Sequence, residues 1–310
     1  MERSRIAAFG VATLLAICLL VASPRPAAAQ VDPDEGLDVS VNYVYAAQLG
    51  FGGYRVGGLS VNVFSLPLQY VLHDVLFDWR LRIHFPIQYG DYDFKGTFVF
   101  DDEAFGLRAS QHTLSAEPKL KLEIPVLDWW TVSMIGAWGF GGTFDTRVYV
   151  RDQGGPWQRF RELEDDVWYY TYQVGVSSLM QTQVDRWTLG LGNAFIYAGT
   201  ADFTSDPDAE AYGALETGVE ARHPLGFKVW DYEPDASLFF IWYYFTPSLE
   251  FTRVQQASLR VDNVYEVGIS IGADPSTPFQ LPVLGNPRIG ISYRVGNDLD
   301  AIRLNFGFPF

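Results

Sequence analysis

From Ala301 to Phe310 the chain reads AIRLNFGFPF. Side chains alternate across an extended strand with a period of two. Ile302, Leu304, Phe306, Phe308 and Phe310 therefore share one face, and Arg303, Asn305, Gly307 and Pro309 share the other. A free strand edge this apolar invites aggregation in water. As the closing strand of a barrel in a bilayer it satisfies both faces and its edge. Hydrocarbon takes the aromatic side, the lumen takes Arg303 and Asn305, and the first strand pairs alongside.

The same alternation recurs upstream. Phe77, Trp79, Leu81, Ile83, Phe85, Ile87 and Tyr89 alternate with Asp78, Arg80, Arg82, His84, Pro86 and Gln88. Leu37, Val39, Val41, Tyr43 and Tyr45 alternate with Asp38, Ser40 and Asn42. Leu259, Val261, Tyr265, Val267, Ile269 and Ile271 oppose Arg260, Asp262, Glu266 and Ser270, with a local break at Asn263 and Val264. A soluble β-sandwich also alternates. Here the runs are about 10 to 17 residues long, where strands of globular proteins average five or six. Aromatic residues make up 16% of the chain and collect at run ends. Trp79, Trp129, Trp130, Trp187 and Phe310 fall at one level, and Trp168, Tyr169, Tyr170 and Tyr172 at the other. Two aromatic girdles around an aliphatic band point to a transmembrane barrel.

Residues 1–29 read as a signal peptide. Arg3 and Arg5 precede an apolar stretch from Ile6 to Val21, and Ala27, Ala28 and Ala29 offer a cleavage site. The stretch is shorter than the roughly 20 residues of a spanning helix. Removing it takes away one Glu and three Arg, so a net charge of −15 becomes −17, and it takes away Cys18, the only cysteine. An acidic, exported, cysteine-free chain has no disulfide framework and is not expected to bind nucleic acid, whose phosphates need Lys and Arg.

Turn signals divide the rest into about twelve antiparallel strands in an all-β, up-and-down barrel; ten and fourteen are the alternatives. The expected strands are 37–47, 57–70, 76–100, 108–126, 130–150, 166–182, 187–202, 211–224, 236–253, 258–273, 287–296 and 301–310. Residues 30–36 form a short periplasmic segment, and 37–310 form one barrel domain. An even count places both termini on the periplasmic side of a Gram-negative outer membrane.

The face opposite the apolar one supplies the expected pore-lining residues. They are Asp78, Arg80, Arg82, His84, Lys119, Lys121, Glu123, Glu216, Glu220, Arg260, Asp262, Glu266, Arg288, Arg294 and Arg303, joined by Glu117 and Arg222. Eight strands give a filled interior and sixteen an aqueous channel, so twelve leaves two readings. Either these charges line a narrow solute path, or both signs pair across the interior and plug it. Both signs are present, so at most a mild anion preference follows.

Ser110 and His112 lie two apart on a face that the parity of Leu120, Leu122 and Ile124 turns toward lipid. A Ser–His pair there resembles the layout of outer membrane phospholipase, itself a twelve-stranded barrel. The order is Ser before His, and the sequence places no orienting Asn or Asp nearby on that face. Polar residues at a strand's wet end are the simpler account. His73, His84, His112 and His223 are scattered, so no metal site or cofactor is expected. Glu162, Glu164, Asp165 and Asp166 read as a solvated acidic loop, with loose calcium binding as the alternative.

The tail Pro287-Arg288-Ile289-Gly290-Ile291-Ser292-Tyr293-Arg294 and Ile302 to Phe310 resembles that of bacterial outer membrane β-barrel proteins. It is most similar to solitary autotransporter-type barrels of twelve strands. The resemblance implies that the barrel assembly machinery reads Phe306, Phe308 and Phe310, and that the chain contacts outer membrane lipid and lipopolysaccharide. An autotransporter also has a passenger and a helix threading its pore, and seven residues before the first expected strand supply neither. The leading expectation is thus a non-enzymatic barrel, acting as a narrow pore or a surface and structural protein. Alternatives are a lipid-active hydrolase using Ser110 and His112, and an adhesin or ligand-docking barrel working through acidic loops 151–165 and 203–210. No partner protein is identifiable.

Overall fold

The structure, a computed structural model, describes residues 51–56, 59–72, 78–100, 103–152, 155–161, 167–202, 210–228, 233–253, 256–273, 288–297 and 299–306. The signal peptide, the segment 30–36, the expected first strand 37–47, Phe308, Phe310 and the acidic run Glu162 to Asp166 lie outside these residues.

The described chain is almost entirely strand: β1 (Phe51–Val56), β2 (Leu59–Leu72), β3 (Arg80–Phe100), β4 (Glu103–Ala116), β5 (Lys119–Leu127), β6 (Trp130–Arg151), β7 (Gln158–Arg159), β8 (Trp168–Val184), β9 (Trp187–Asp202), β10 (Glu210–Pro224), β11 (Asp235–Arg253), β12 (Gln256–Gly272), β13 (Arg288–Gly296) and β14 (Leu299–Phe306). Each wall strand pairs antiparallel with its neighbours, and β1 pairs β14 from Phe51↔Leu304 to Val56↔Leu299. That pairing closes the sheet into a barrel, which leaves no open edge at the seam.

Fourteen elements make twelve staves. β4 and β5 both run between β3 and β6 and are one stave broken at Glu117-Pro118. Pro118 has no amide hydrogen to give the ladder, so the strand expected over 108–126 is interrupted there. The wall is stitched across the gap by Glu117 N to Pro86 O at 3.3 Å and Trp138 N to Pro118 O at 3.2 Å. β7 is a two-residue piece that, among the described residues, pairs only with β6, at Tyr149↔Arg159 and Val150↔Gln158.

β1 occupies a segment expected to be a connection, 48–56. Glycine at 52 and 53 weakens the strand signal, and pairing to β2 and β14 overrides it.

The alternation sorts the wall as expected over most of its length. Ile289, Ile291, Tyr293, Val295, Ile302 and Leu304 are exposed outward, and Arg288, Ser292, Arg294, Ala301 and Arg303 are buried inward. The outward apolar side chains, from Phe64 and Leu66 on β2 to Val267 and Ile269 on β12, form a continuous belt. A water-soluble monomer does not expose apolar area on that scale.

Three placements differ from expectation. Val261 is buried inward rather than outward. Where β11 advances five residues, from Tyr244 to Leu249, against two on β12, Val261 and Val264 are both buried although three positions apart. Tyr169 also points inward, leaving Trp168 at the outer face of the β8 end. Most consequentially, the interior is partly apolar. Tyr54, Val61, Val63, Tyr92, Ile196, Tyr212, Ile241, Phe245, Val264 and Leu299 join one buried cluster inside the wall. It lies toward the end bearing the β1–β2 and β13–β14 connections, here the loop end. The opposite end, where β14 finishes, is the terminal end.

Candidate functional site

The strongest concentration of polar chemistry is inside the barrel, around Glu266. β12 and β13 set Glu266 directly opposite Arg294, and β13 and β14 set Ser292 opposite Arg303. The pleat sends all four side chains inward. Arg294 Nε donates to Glu266 Oε2 at 2.6 Å, and Arg303 Nη1 donates to Oε1 and Oε2 at 2.9 and 3.0 Å. Ser292 Oγ donates to Oε1 at 2.5 Å and Tyr243 OH to Oε2 at 2.8 Å. Arg294 Nη2 donates to the Tyr243 oxygen at 2.7 Å, with its guanidinium carbon 4.5 Å from that ring's centroid. Asn305 Nδ2 donates to Ser292 Oγ at 2.9 Å. Glu266 is 1% exposed, so water does not replace these bonds.

A second group sits nearer the terminal end. Arg288 pairs with Asp235 and donates to Ser270 Oγ at 2.7 Å, and Ser270 shares a 2.8 Å bond with Ser237. Glu220 and Arg222 approach to 3.6 Å.

A third group lies on β3 and β5. Register places Arg80 opposite Glu123, Arg82 opposite Lys121, and His84 opposite Lys119. Arg82 Nε donates to Glu123 Oε1 at 2.5 Å, and Arg80 Nε stands 3.5 Å from Oε2. Lys119 Nζ is 4.0 Å from Glu117 Oε1. Glu216 of β10 faces the same interior.

Of the residues read from the sequence as a pore lining, Asp78 does not join these groups, because it sits exposed in the turn before β3. Asp262 falls in the irregular stretch between Val261 and Val264, off the regular inward row. Arg260 lies on β12 opposite Glu250. The others are on the inward face. Ser270 and Ser292 fall on the polar face that the alternation marks, whereas Asp235 and Tyr243 were not legible as members. Asp235 falls in a proline-bearing stretch that reads as a turn. Tyr243 falls in the run Leu238 to Phe245, which is apolar at every position and carries no alternation to mark its inward members.

Ser110 and His112 lie on the outer face. His112 Nδ1 is 2.8 Å from Tyr89 OH and 3.2 Å from Asp91 Oδ1, and its Nε2 is 4.0 Å from Asp145 Oδ2. The expected lack of a nearby acid is thus corrected: Asp91 comes from β3, 21 positions away in sequence and adjacent only in the sheet. Among the described residues no hydrogen bond joins Ser110 to His112. The register shift between them sets Ser110 opposite Arg147 and His112 opposite Phe144. Among the described residues His112 is held by Tyr89, Asp91 and Asp145 and not by Ser110.

No protein-family model and no curated protein matches the sequence. Solved structures do match the fold. The beta domain of the Bordetella autotransporter BrkA aligns at 8% identity over 83% of this chain and 96% of that one, with a TM-score of 0.51. The transport unit of the autotransporter AIDA-I from Escherichia coli aligns at 14% identity over 83% and 88%, with a TM-score of 0.50. The chain has the twelve-stranded barrel fold of autotransporter translocator domains.

Proposed function

We propose that this barrel sits in the outer membrane of a Gram-negative bacterium and is not an enzyme. It acts as a surface or structural barrel with a filled interior rather than as an open solute pore. The carrying observation is the Glu266 network: two arginines, a tyrosine and a serine from β11, β13 and β14 converge on one carboxylate that is 1% exposed. The apolar cluster on its loop-end side supports the same reading, since aromatic side chains from β1, β3, β10 and β11 occupy the space a channel would need.

Planar-bilayer recording tests it. The folded protein is expected to insert and stay electrically silent at either polarity, and a steady conductance in every insertion would refute the filled barrel. Orientation is tested with single cysteines. Arg161→Cys at the loop end is expected to react with an impermeant maleimide on intact cells, and Asp128→Cys at the terminal end only after the outer membrane is opened.

A further inference from the structure

We infer that the terminal-end mouth of the barrel, on the inward face of β3 and β5, is a binding site for a small phosphate-type oxyanion. This rests on the membrane-barrel reading only for which compartment the mouth opens to.

The argument begins with charge. The whole chain has 37 acidic and 22 Lys and Arg residues. On this patch the balance inverts: Arg80, Arg82, Lys119 and Lys121 face three carboxylates, Glu117, Glu123 and Glu216. Glu123 already serves both arginines, and Glu117 is 4.0 Å from Lys119. Lys121 has no ion-pair partner among the described residues, although it stands directly opposite Arg82. Like charges directly opposite on one sheet face destabilise the pair, and more so away from bulk water. A bound anion removes that repulsion.

Access is also present. Arg80 and Arg82 point inward yet keep 40% and 28% of their side-chain exposure, so solvent reaches these guanidinium groups. Deeper along the same wall, register aligns Ser65 with Gln88 and Gln88 with Ser115. Gln88 and Ser65 are each 2% exposed, and among the described residues the Gln88 amide oxygen and nitrogen and the Ser65 hydroxyl have no hydrogen-bond partner. Buried polar atoms left unpaired are costly. An oxyanion held by the Lys121 and Lys119 ammonium groups, flanked by the Arg82 guanidinium, meets the shape and charge that such donors match.

Titration calorimetry of the detergent-folded protein with inorganic phosphate, against sodium chloride of equal ionic strength, tests the site. Saturable binding is expected. Lys121→Met is expected to weaken it about tenfold, the loss of one charge-assisted contact. Glu123→Gln is expected to tighten it, because it frees Arg82 and Arg80, an effect that a merely structural role for Glu123 would not produce. Folding of each variant is checked by heat-modifiable migration on gels. Absence of saturable binding in the wild type, or unchanged affinity in folded Lys121→Met, overturns the inference. Flotation with lipid vesicles separates the two readings. A protein that floats but ignores phosphate refutes the anion site alone, and one that binds phosphate but does not float refutes the membrane barrel alone.

Discussion

Arg294 stands directly across the β12–β13 ladder from Glu266, its Nε 2.6 Å from the carboxylate Oε2, and both side chains are buried inside the barrel. Removing Glu266 would leave Arg294 and Arg303 facing each other without a counter-charge. Glu266→Ala is expected to destabilise the barrel by about 3–5 kcal/mol, the usual cost of breaking a buried pair from one side. Urea unfolding in lipid vesicles, followed by tryptophan fluorescence, reads the change.

The outward pair Asp145–Arg147 is the natural comparison. Its oxygen and nitrogen lie 2.8 Å apart, but both side chains are about half exposed. Arg147→Ala is expected to cost at most about 1 kcal/mol, because solvent screens the pair. A loss as large as that of Glu266→Ala would mean the outer face at this level is not wet.

Gly268 sits inward between Phe239 and Ser292, and a Cβ there would lie 2.6 Å from Ser292 Cβ and 2.9 Å from the Ile291 carbonyl oxygen. Two of these neighbours are sheet backbone or side chains rooted at the backbone and cannot swing aside. Gly268→Ala is expected to cost about 1–3 kcal/mol by overpacking. Gly136, with nothing within 4 Å of its built Cβ, is expected to accept alanine without loss of stability. Equal melting of the two variants would contradict the close packing at Gly268.

Val267 lies mid-belt on the outer face, between Tyr265 and Ile269. Val267→Lys is expected to destabilise the membrane-inserted barrel by about 2–4 kcal/mol, the cost of a lysine near the bilayer midplane. Asp93→Lys, outward but beyond the belt, is expected to be close to neutral. A neutral Val267→Lys would remove hydrocarbon from the outer face.

Asp185 begins the tight turn between β8 and β9 with a φ of 55°. Left-handed backbone costs an ordinary L-residue about 1–2 kcal/mol, and aspartate and glycine least. Asp185→Ala is therefore expected to lower stability by about 1 kcal/mol, and Asp185→Gly to restore it, in the same unfolding assay.

How much was legible varies by strand. β13 and β14 could be read residue by residue, because a single two-fold period assigns Arg288, Arg294 and Arg303 to one face and Ile289, Ile291 and Ile302 to the other. β11 could not be split, since Leu238 to Phe245 is apolar on both faces. The register shift against β11 leaves Val261 inward and Asp262 off the inner row; the sequence shows the break at Asn263 and Val264 but not which side of it keeps the inward face. The acid beside His112 was invisible for a different reason: Asp91 neighbours it only through strand pairing.

By itself the sequence determined that these strands are amphipathic ribbons with one greasy side, because alternation is a local property of the extended backbone and survives in any arrangement. Only the closed tertiary structure decided what the other side does. Register brought Glu266 to two arginines and Lys121 to Arg82, and curvature turned Tyr54, Tyr92 and Phe245 into a shared interior. Which charges neutralise each other depends on distances of a few ångströms between residues far apart in the chain, and linear order does not contain those distances.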